Sequence, residues 1–304
     1  MPHVPLILSL CVLALLVWLA VNLAHAGWIG ARHRRWERRV RRGPDGVASD
    51  AAAFTCGSGR DAVLLIHGFA DTAAVFADMA GALAAHGLTC RVMRLPGAGE
   101  PLPVAARQTL NGWLAAIREE AAALRRSHRR VWLVGHSMGA ALAALAQIDD
   151  PGLADGLVLL TPLFDVSRAR SPLLHPRIWF RIARALLPLS RTFESSFPVN
   201  VLTADGAAIA YQRDRFIPFA TYHALFCLTD RLRGRGGDVR VPLFAVLVRD
   251  DRVVSTDAAR AWLAGCSHLR MHSETLESYG HAIPLEHQLL PDLCRRIAEF
   301  MQDE

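Results

Sequence analysis

The sequence predicts an α/β fold: a mostly parallel open sheet flanked by helices, with a helical cap inserted late in the sheet and one transmembrane helix ahead of it. Three observations carry that expectation. Short apolar runs alternate with amphipathic, helix-periodic ones from residue 62 to residue 301. The alternation is broken once, by about seventy residues (165–238) that are rich in arginine and aromatics and lack strong strand signals; structureless loops of that length are rare, so a helical cap is expected. Residues 4–24, "VPLILSLCVLALLVWLAVNLA", form an apolar run with only Ser9 and Asn22 as polar interruptions, about the twenty residues a helix needs to cross a hydrocarbon core.

A cleaved signal peptide is the rival reading of that run, because "AHA" at 24–26 resembles a small-X-small cleavage site. No Lys or Arg precedes the run, and it is longer than a signal h-region, which favours an anchor. Seven arginines follow in "ARHRRWERRVRR" (31–42), with Glu37 the only acid among them. Basic residues beside a membrane helix stay on the cytoplasmic side. The expected organisation is an anchor (1–27), an Arg-rich juxtamembrane linker (28–50) and a cytoplasmic domain (51–304), with export after cleavage as the alternative. The arginines either attract anionic headgroups or act only as a topology signal.

The net charge of +6 is concentrated in that segment, and outside it the balance is close to neutral. With no aromatic-interleaved binding module, nucleic acid is not an expected partner. Every basic residue is arginine rather than lysine, so any contact to a carboxylate or phosphate must use a guanidinium. Cys11, Cys56, Cys90, Cys227, Cys266 and Cys294 show neither a CxxC nor a zinc-type Cys/His spacing. Reduced, buried thiols are expected, and no metal.

In chain order, "AVLLI" (62–66) reads as a short buried strand ending in a turn. "AAVFADMAGALAAHG" has helical spacing with a glycine stop at Gly87. A strand "CRVMRL", a loop "PGAGEPLP", a helix over 111–126 and a strand "VWLV" follow. A helix comes after that strand, then the strand "GLVLL" (156–160). Beyond the cap come a strand "PLFAVLV" (242–248), a helix "TDAARAWLAG", a weaker strand near 268–272 and a last helix over 291–301.

The junction "VWLVGHSMGAALAALAQ" (131–147) is a strand, a Gly-X-Ser-X-Gly turn and a helix. That context is what a nucleophile elbow requires: Gly135 and Gly139 allow strand and helix to approach, and Ser137 is forced onto a sharp exposed turn. An acid and a histidine should follow in that order. "RDDRVVS" after the strand at 242–248 offers Asp250 and Asp251, and "SYGHAIPLE" offers His281.

With "HGF" (67–69), "GHSMG" (135–139), "DRVVS" (251–255) and "YGH" (279–281) in this order, the chain from about 62 to 301 resembles the α/β-hydrolase superfamily, and within it monoacylglycerol lipases and bacterial carboxylesterase-type serine hydrolases. The resemblance implies Ser137 as nucleophile, His281 as general base and then acid, and Asp251 as the group that orients the imidazole. Asp251 is preferred to Asp250 because similar enzymes place the acid directly before an x-V-V step. The backbone N–H groups of Phe69 and Met138 would form the oxyanion hole. No metal or organic cofactor is implied.

Related lipases usually carry a histidine where Ala98 stands in "LPGAGE". His67 is expected to support the oxyanion loop and His136 to be structural, and Asp165 is a second place where the acid could sit. Phe164, Trp179, Phe180, Phe193, Phe197, Phe216, Phe219 and Phe226 could line an acyl pocket or simply fasten the cap. The expected activity is cleavage of carboxylic esters, lipid or monoacylglycerol-like, through an acyl-enzyme. An acyltransferase or thioesterase would use the same triad. An aminopeptidase would need a carboxylate for the substrate's amine; Glu194, Asp205 and Asp214 are candidates expected to be merely solvated. A catalytically silent scaffold is the reading from another class.

Overall fold

A computed structural model of the chain describes residues 3–169, 171, 173–195, 203, 209–266 and 270–302. It opens with α1 (His3–Glu37), a helix that continues past the end of the apolar run because nothing in 25–37 breaks it. Arg34 and Arg35 lie in its last turn, where cations complement the helix dipole. Among the described residues α1 is the one helix long and apolar enough to cross a membrane, and its apolar side chains up to Leu23 are exposed. The stretch expected to be a linker is therefore partly helix.

The domain continues with β1 (Phe54–Cys56), β2 (Asp61–Ile66), α2 (Ala77–Ala85), β3 (Leu88–Val92), α3 (Leu102–Ala105) and α4 (Leu110–Arg125). Thr109 caps α4 by accepting the Gly112 N–H. Next come β4 (Val131–His136), α5 (Met138–Asp149) and β5 (Gly156–Leu160). The insertion contains α6 (Pro176–Leu186), β6 (Thr192–Glu194), β7 (Phe216–Pro218) and α7 (Phe219–Leu232). The chain closes with β8 (Leu243–Val248), α8 (Thr256–Ala264), β9 (Met271–Leu276) and α9 (Leu290–Gln302).

The sheet order is β1-β3-β2-β4-β5-β8-β9. All neighbours are parallel except β1 with β3. Strands β4, β5 and β8 are buried end to end, as expected of a sheet covered on both faces. One face packs α4, α5, α7 and α8 through Leu114, Leu142, Leu228 and Trp262. The other packs α2 and α9 through Met79, Leu83, Leu293 and Ile297. The chain moves from β2 outward to β3 and then back past β2 to β4, so the sheet's switch point lies at the C-terminal ends of β2 and β4, where ligands gather in open α/β sheets.

Three sequence expectations are corrected in detail. The weaker strand lies at Met271–Leu276, later than expected, and His268 falls outside the described residues. The cap includes a two-stranded antiparallel ribbon, β6 with β7, whose three-residue strands are too short to leave a periodic signal. Leu225, Leu228 and Leu232 of α7 belong to the main core, so the last part of the insertion completes the helix layer rather than the cap.

Candidate active site

Ser137 sits between β4 and α5 with φ 56° and ψ −117°, a conformation a non-glycine residue holds only when its surroundings impose it. They do so through three backbone hydrogen bonds: Ser137 N–H to Leu160 O at 2.9 Å, Leu163 N–H to Ser137 O at 3.1 Å, and Ala141 N–H to Ser137 O at 3.2 Å. The flanking glycines are required by close approach. A Cβ at Gly139 would lie 1.9 Å from Ile66 O, and one at Gly135 2.4 Å from Ala140 Cα.

His281 follows β9 and an exposed turn, with Nδ1 2.7 Å from Asp251 Oδ2; both side chains are almost wholly buried. Asp251 is fixed on its other side, where Oδ1 accepts the N–H groups of Val253 (2.7 Å) and Val254 (3.0 Å). Burial alone would push this carboxyl up, but the charge and hydrogen bond of His281 and those two N–H groups outweigh it and hold it below the usual carboxylate range. The bond to Asp251 leaves Nε2 as the other ring nitrogen of His281, and His281 lines the same cavity as Ser137. In this state no hydrogen bond among the described residues joins Ser137 Oγ to Nε2. Asp250 is exposed, and Asp165 faces His175 at 3.2 Å instead of His281.

Phe69 lies in the turn after β2 and Met138 opens α5. Neither backbone N–H donates to a carbonyl among the described residues. The turn is close to the serine: a Cβ on Gly68 would stand 3.2 Å from Ser137 Cβ. His67 braces this loop, donating from Nδ1 to Gly68 O (3.0 Å) and accepting the Leu95 N–H at Nε2 (3.1 Å). Burial holds it below its ordinary pKa and therefore neutral.

Ser137 and His281 line a cavity of about 470 Å³ roofed by the cap. Its apolar wall includes Leu163, Trp179, Phe180, Phe193, Tyr222 and Phe226. Other sequence candidates serve elsewhere. Phe164 stacks on Trp262 at 4.1 Å, Phe216 meets Trp36 of α1 at 5.7 Å, and Phe219 packs on Phe193 at 4.3 Å. Phe197 lies outside the described residues. Asp71, Arg213 and Arg252 make the charged part of the lining.

The family described as Hydrolase_4: Serine aminopeptidase, S33, matches residues 57–288. The chain belongs to that family. A thermostable monoacylglycerol lipase of Bacillus sp. (strain H-257) is 30% identical over 120 residues, 40% of this chain and 48% of that protein; the match thus spans about half of that relative's length. The fold is also that of the monoacylglycerol lipase of Paleococcus ferrophilus (TM-score 0.70, 15% identity, 82% of this chain and 97% of that one). A soluble variant of monoglyceride lipase from Saccharomyces cerevisiae gives a TM-score of 0.70 at 14% identity, covering 82% of this chain and 90% of the other.

Several polar contacts around the site of this Hydrolase_4 member escaped the sequence, although His136 was expected to be structural, as it is. The His281 carbonyl accepts from His136 Nε2 (3.1 Å) and from Thr161 Oγ1 (2.9 Å), which pins the histidine loop to the ends of β4 and β5. His136 is driven to a pKa of about 3, first by burial and then by His281, so it stays neutral. Glu286 holds the same loop by accepting the Gly280 N–H at 2.8 Å. Asp71 accepts from Tyr211 Oη at 2.9 Å and from the Thr72 N–H.

The cap carboxylates also depart from expectation. Glu194 is not solvated but bound by Arg32 and Arg215. Asp214 accepts the Gly99 N–H at 3.1 Å, and burial pushes its carboxyl up to about 6. Asp205 lies outside the described residues. At the position of the missing histidine, the Gly97–Ala98–Gly99 loop is instead gripped from both sides, by Asp214 and by Arg42, which donates to Gly99 O at 2.6 Å.

Proposed function

We propose that the protein is a membrane-anchored serine hydrolase that cleaves carboxylic esters of apolar acyl chains, monoacylglycerol-like lipids above all. The observation that carries this reading is the cavity of about 470 Å³, with Ser137 and His281 on its wall, Asp251 bonded to His281 behind it, and aromatic side chains around them. An apolar pocket with a few convergent polar groups suits an acyl chain ending in an ester.

In the proposed reaction His281 Nε2 takes the Ser137 hydroxyl proton as Oγ attacks the ester carbonyl. The developing oxyanion is held by the N–H groups of Phe69 and Met138, each worth about 3 kcal/mol to the transition state. The α5 N-terminus adds its positive dipole end. His281 then protonates the departing alkoxide, and the acyl group remains on Ser137. Water then attacks the acyl carbonyl as the same nitrogen takes its proton, and His281 returns that proton to Ser137 Oγ as the acid departs. Asp251 orients His281 and stabilises its cation without accepting the proton.

The same acyl-enzyme would serve a thioesterase or an acyltransferase; a panel of acyl donors with and without an alcohol acceptor separates these. The aminopeptidase reading, suggested by the family's description, finds less support. Glu194 is engaged by two arginines and does not line the cavity, and Asp71, which does, is already bonded to Tyr211 and the Thr72 N–H.

The anchor reading draws on α1 itself. Cleavage after Ala26 would remove Asn22 and His25, which hydrogen-bond Leu186 O at 2.9 Å and Ser190 Oγ at 2.7 Å in the cap. We place the domain in the cytoplasm, on the side of the arginines. The test of the chemistry is labelling with a fluorophosphonate in wild type and Ser137→Ala: label on Ser137, lost in the variant, is expected. A folded wild type that takes no label would overturn the reading.

A further inference from the structure

Outside α1, the described residues expose six large apolar side chains: Val104, Leu173, Ile178, Trp179, Leu186 and Leu189. Five of the six belong to one stretch of the cap, on α6 or next to it. Monomeric surfaces seldom gather apolar groups in this way without a partner. Around the α6 axis, Phe180 and Ala183 line the cavity, Ile178 and Leu186 are exposed, and Arg181 and Arg184 are exposed along one flank. Neither arginine has an acidic partner among the described residues. An apolar edge flanked by arginines is the pattern of a helix lying in a membrane interface.

Position identifies the partner. Asn22, His25 and Arg32 of α1 bond Leu186, Ser190 and Glu194 in that order, so the stretch from 186 to 194 runs alongside α1 in the same direction. Leu186 is thereby fixed at the level of Asn22, which lies inside the apolar run. At about 1.5 Å of rise per residue, that level is roughly 15 Å nearer the bilayer than the first arginine of the basic segment. The exposed end of α6 thus stands where the span leaves the hydrocarbon. Trp179 is 46% exposed and also lines the Ser137 cavity, so one side chain faces both.

We propose that the outer face of α6, together with Leu186 and Leu189, is a second membrane contact, seated in the headgroup interface of the bilayer that α1 crosses, and that acyl esters pass from that bilayer beside Trp179 to Ser137. This rests on the reading of α1 as a retained span. The test uses the full chain reconstituted in phosphatidylcholine/phosphatidylglycerol nanodiscs, with a benzophenone-bearing phenylalanine placed in turn at Leu13, Ile178, Leu186 and Glu299.

After irradiation, mass spectrometry should find lipid adducts at the first three positions and none at Glu299. Adducts at Leu13 but not at Ile178 or Leu186 would overturn this proposal and leave the anchor standing, as would cross-linking of α6 to a second copy of the chain. No lipid at Leu13 would overturn both. A second arm replaces Ile178, Leu186 and Leu189 together by glutamine. The rate on a long-chain ester dispersed in vesicles should fall about tenfold while the rate on a water-soluble short-chain ester holds; equal rates on the vesicle substrate would overturn the proposed route.

Discussion

Asp251→Asn is the substitution that bears hardest on the proposed chemistry. The volume is unchanged, and the Oδ1 bonds to the Val253 and Val254 N–H groups can be kept. What changes is the atom facing His281: an amide donor replaces an acceptor 2.7 Å from Nδ1. Nδ1 must then accept, Nε2 carries the proton, and the nitrogen needed as base for Ser137 is occupied. The positive imidazolium that forms during attack also loses its counter-charge in a site where both side chains are almost wholly buried. At that separation and an effective dielectric of about 20, the lost attraction is about 6 kcal/mol, roughly four decades of rate.

The assay is kcat on a chromogenic acyl ester, with near-ultraviolet dichroism to show retained packing. Asp250→Asn and Asp165→Asn run in parallel and should stay within about threefold of wild type, since Asp250 is exposed and Asp165 faces His175. A folded Asp251→Asn protein retaining more than a tenth of wild-type kcat would refute the assignment. Loss of activity in Asp165→Asn instead would move the acid to β5.

Gly139→Ala would force a methyl against Ile66 O and should lower stability by about 2–4 kcal/mol, read as a shifted urea midpoint, and abolish labelling of Ser137. Thr161→Val removes one of two donors to the His281 carbonyl and should reduce kcat about tenfold with KM little changed, while thermal unfolding moves by only a few degrees. Asp214 is held above its ordinary pKa, up to about 6, so the folded state binds its proton more tightly than the unfolded chain does. Stability should therefore fall by up to about 3 kcal/mol as pH rises from about 4 to about 6, and Asp214→Asn should flatten urea midpoints over that window. Glu194→Gln breaks the bridge from Arg32 to Arg215; a loss of about 1–2 kcal/mol and faster hydrogen exchange in β6 and β7 are expected, with no change in the core strands.

The order of elements was legible because each strand and helix carries its own period, and the Gly-X-Ser-X-Gly turn was legible because backbone strain and close approach demand glycines at fixed offsets. Asp251 could be preferred to Asp250 from a local motif, and the structure puts only Asp251 against His281. The supports of the histidine loop were not legible. His136 and His281 are 145 positions apart and Thr161 and His281 are 120 apart, and a single hydrogen bond between distant segments leaves no pattern in either. Asp214 and Glu194 were misjudged for the same reason: their partners Gly99 and Arg32 come from remote parts of the chain. Tyr222, on the cavity wall and 5.0 Å from Phe69, was missed among the more numerous phenylalanines.

The unbroken run of α1 from the apolar stretch through Glu37 has a mechanical consequence. A domain on a flexible leash can adopt any heading over the membrane. Here the helix proposed to cross the bilayer is the same continuous helix that bonds the cap, so a tilt of α1 would incline the mouth of the Ser137 cavity with it. Helices answer a thinner bilayer by tilting further. On the proposal that α1 spans the bilayer, membrane thickness, set by lipid chain length, would become a variable in turnover alongside substrate concentration.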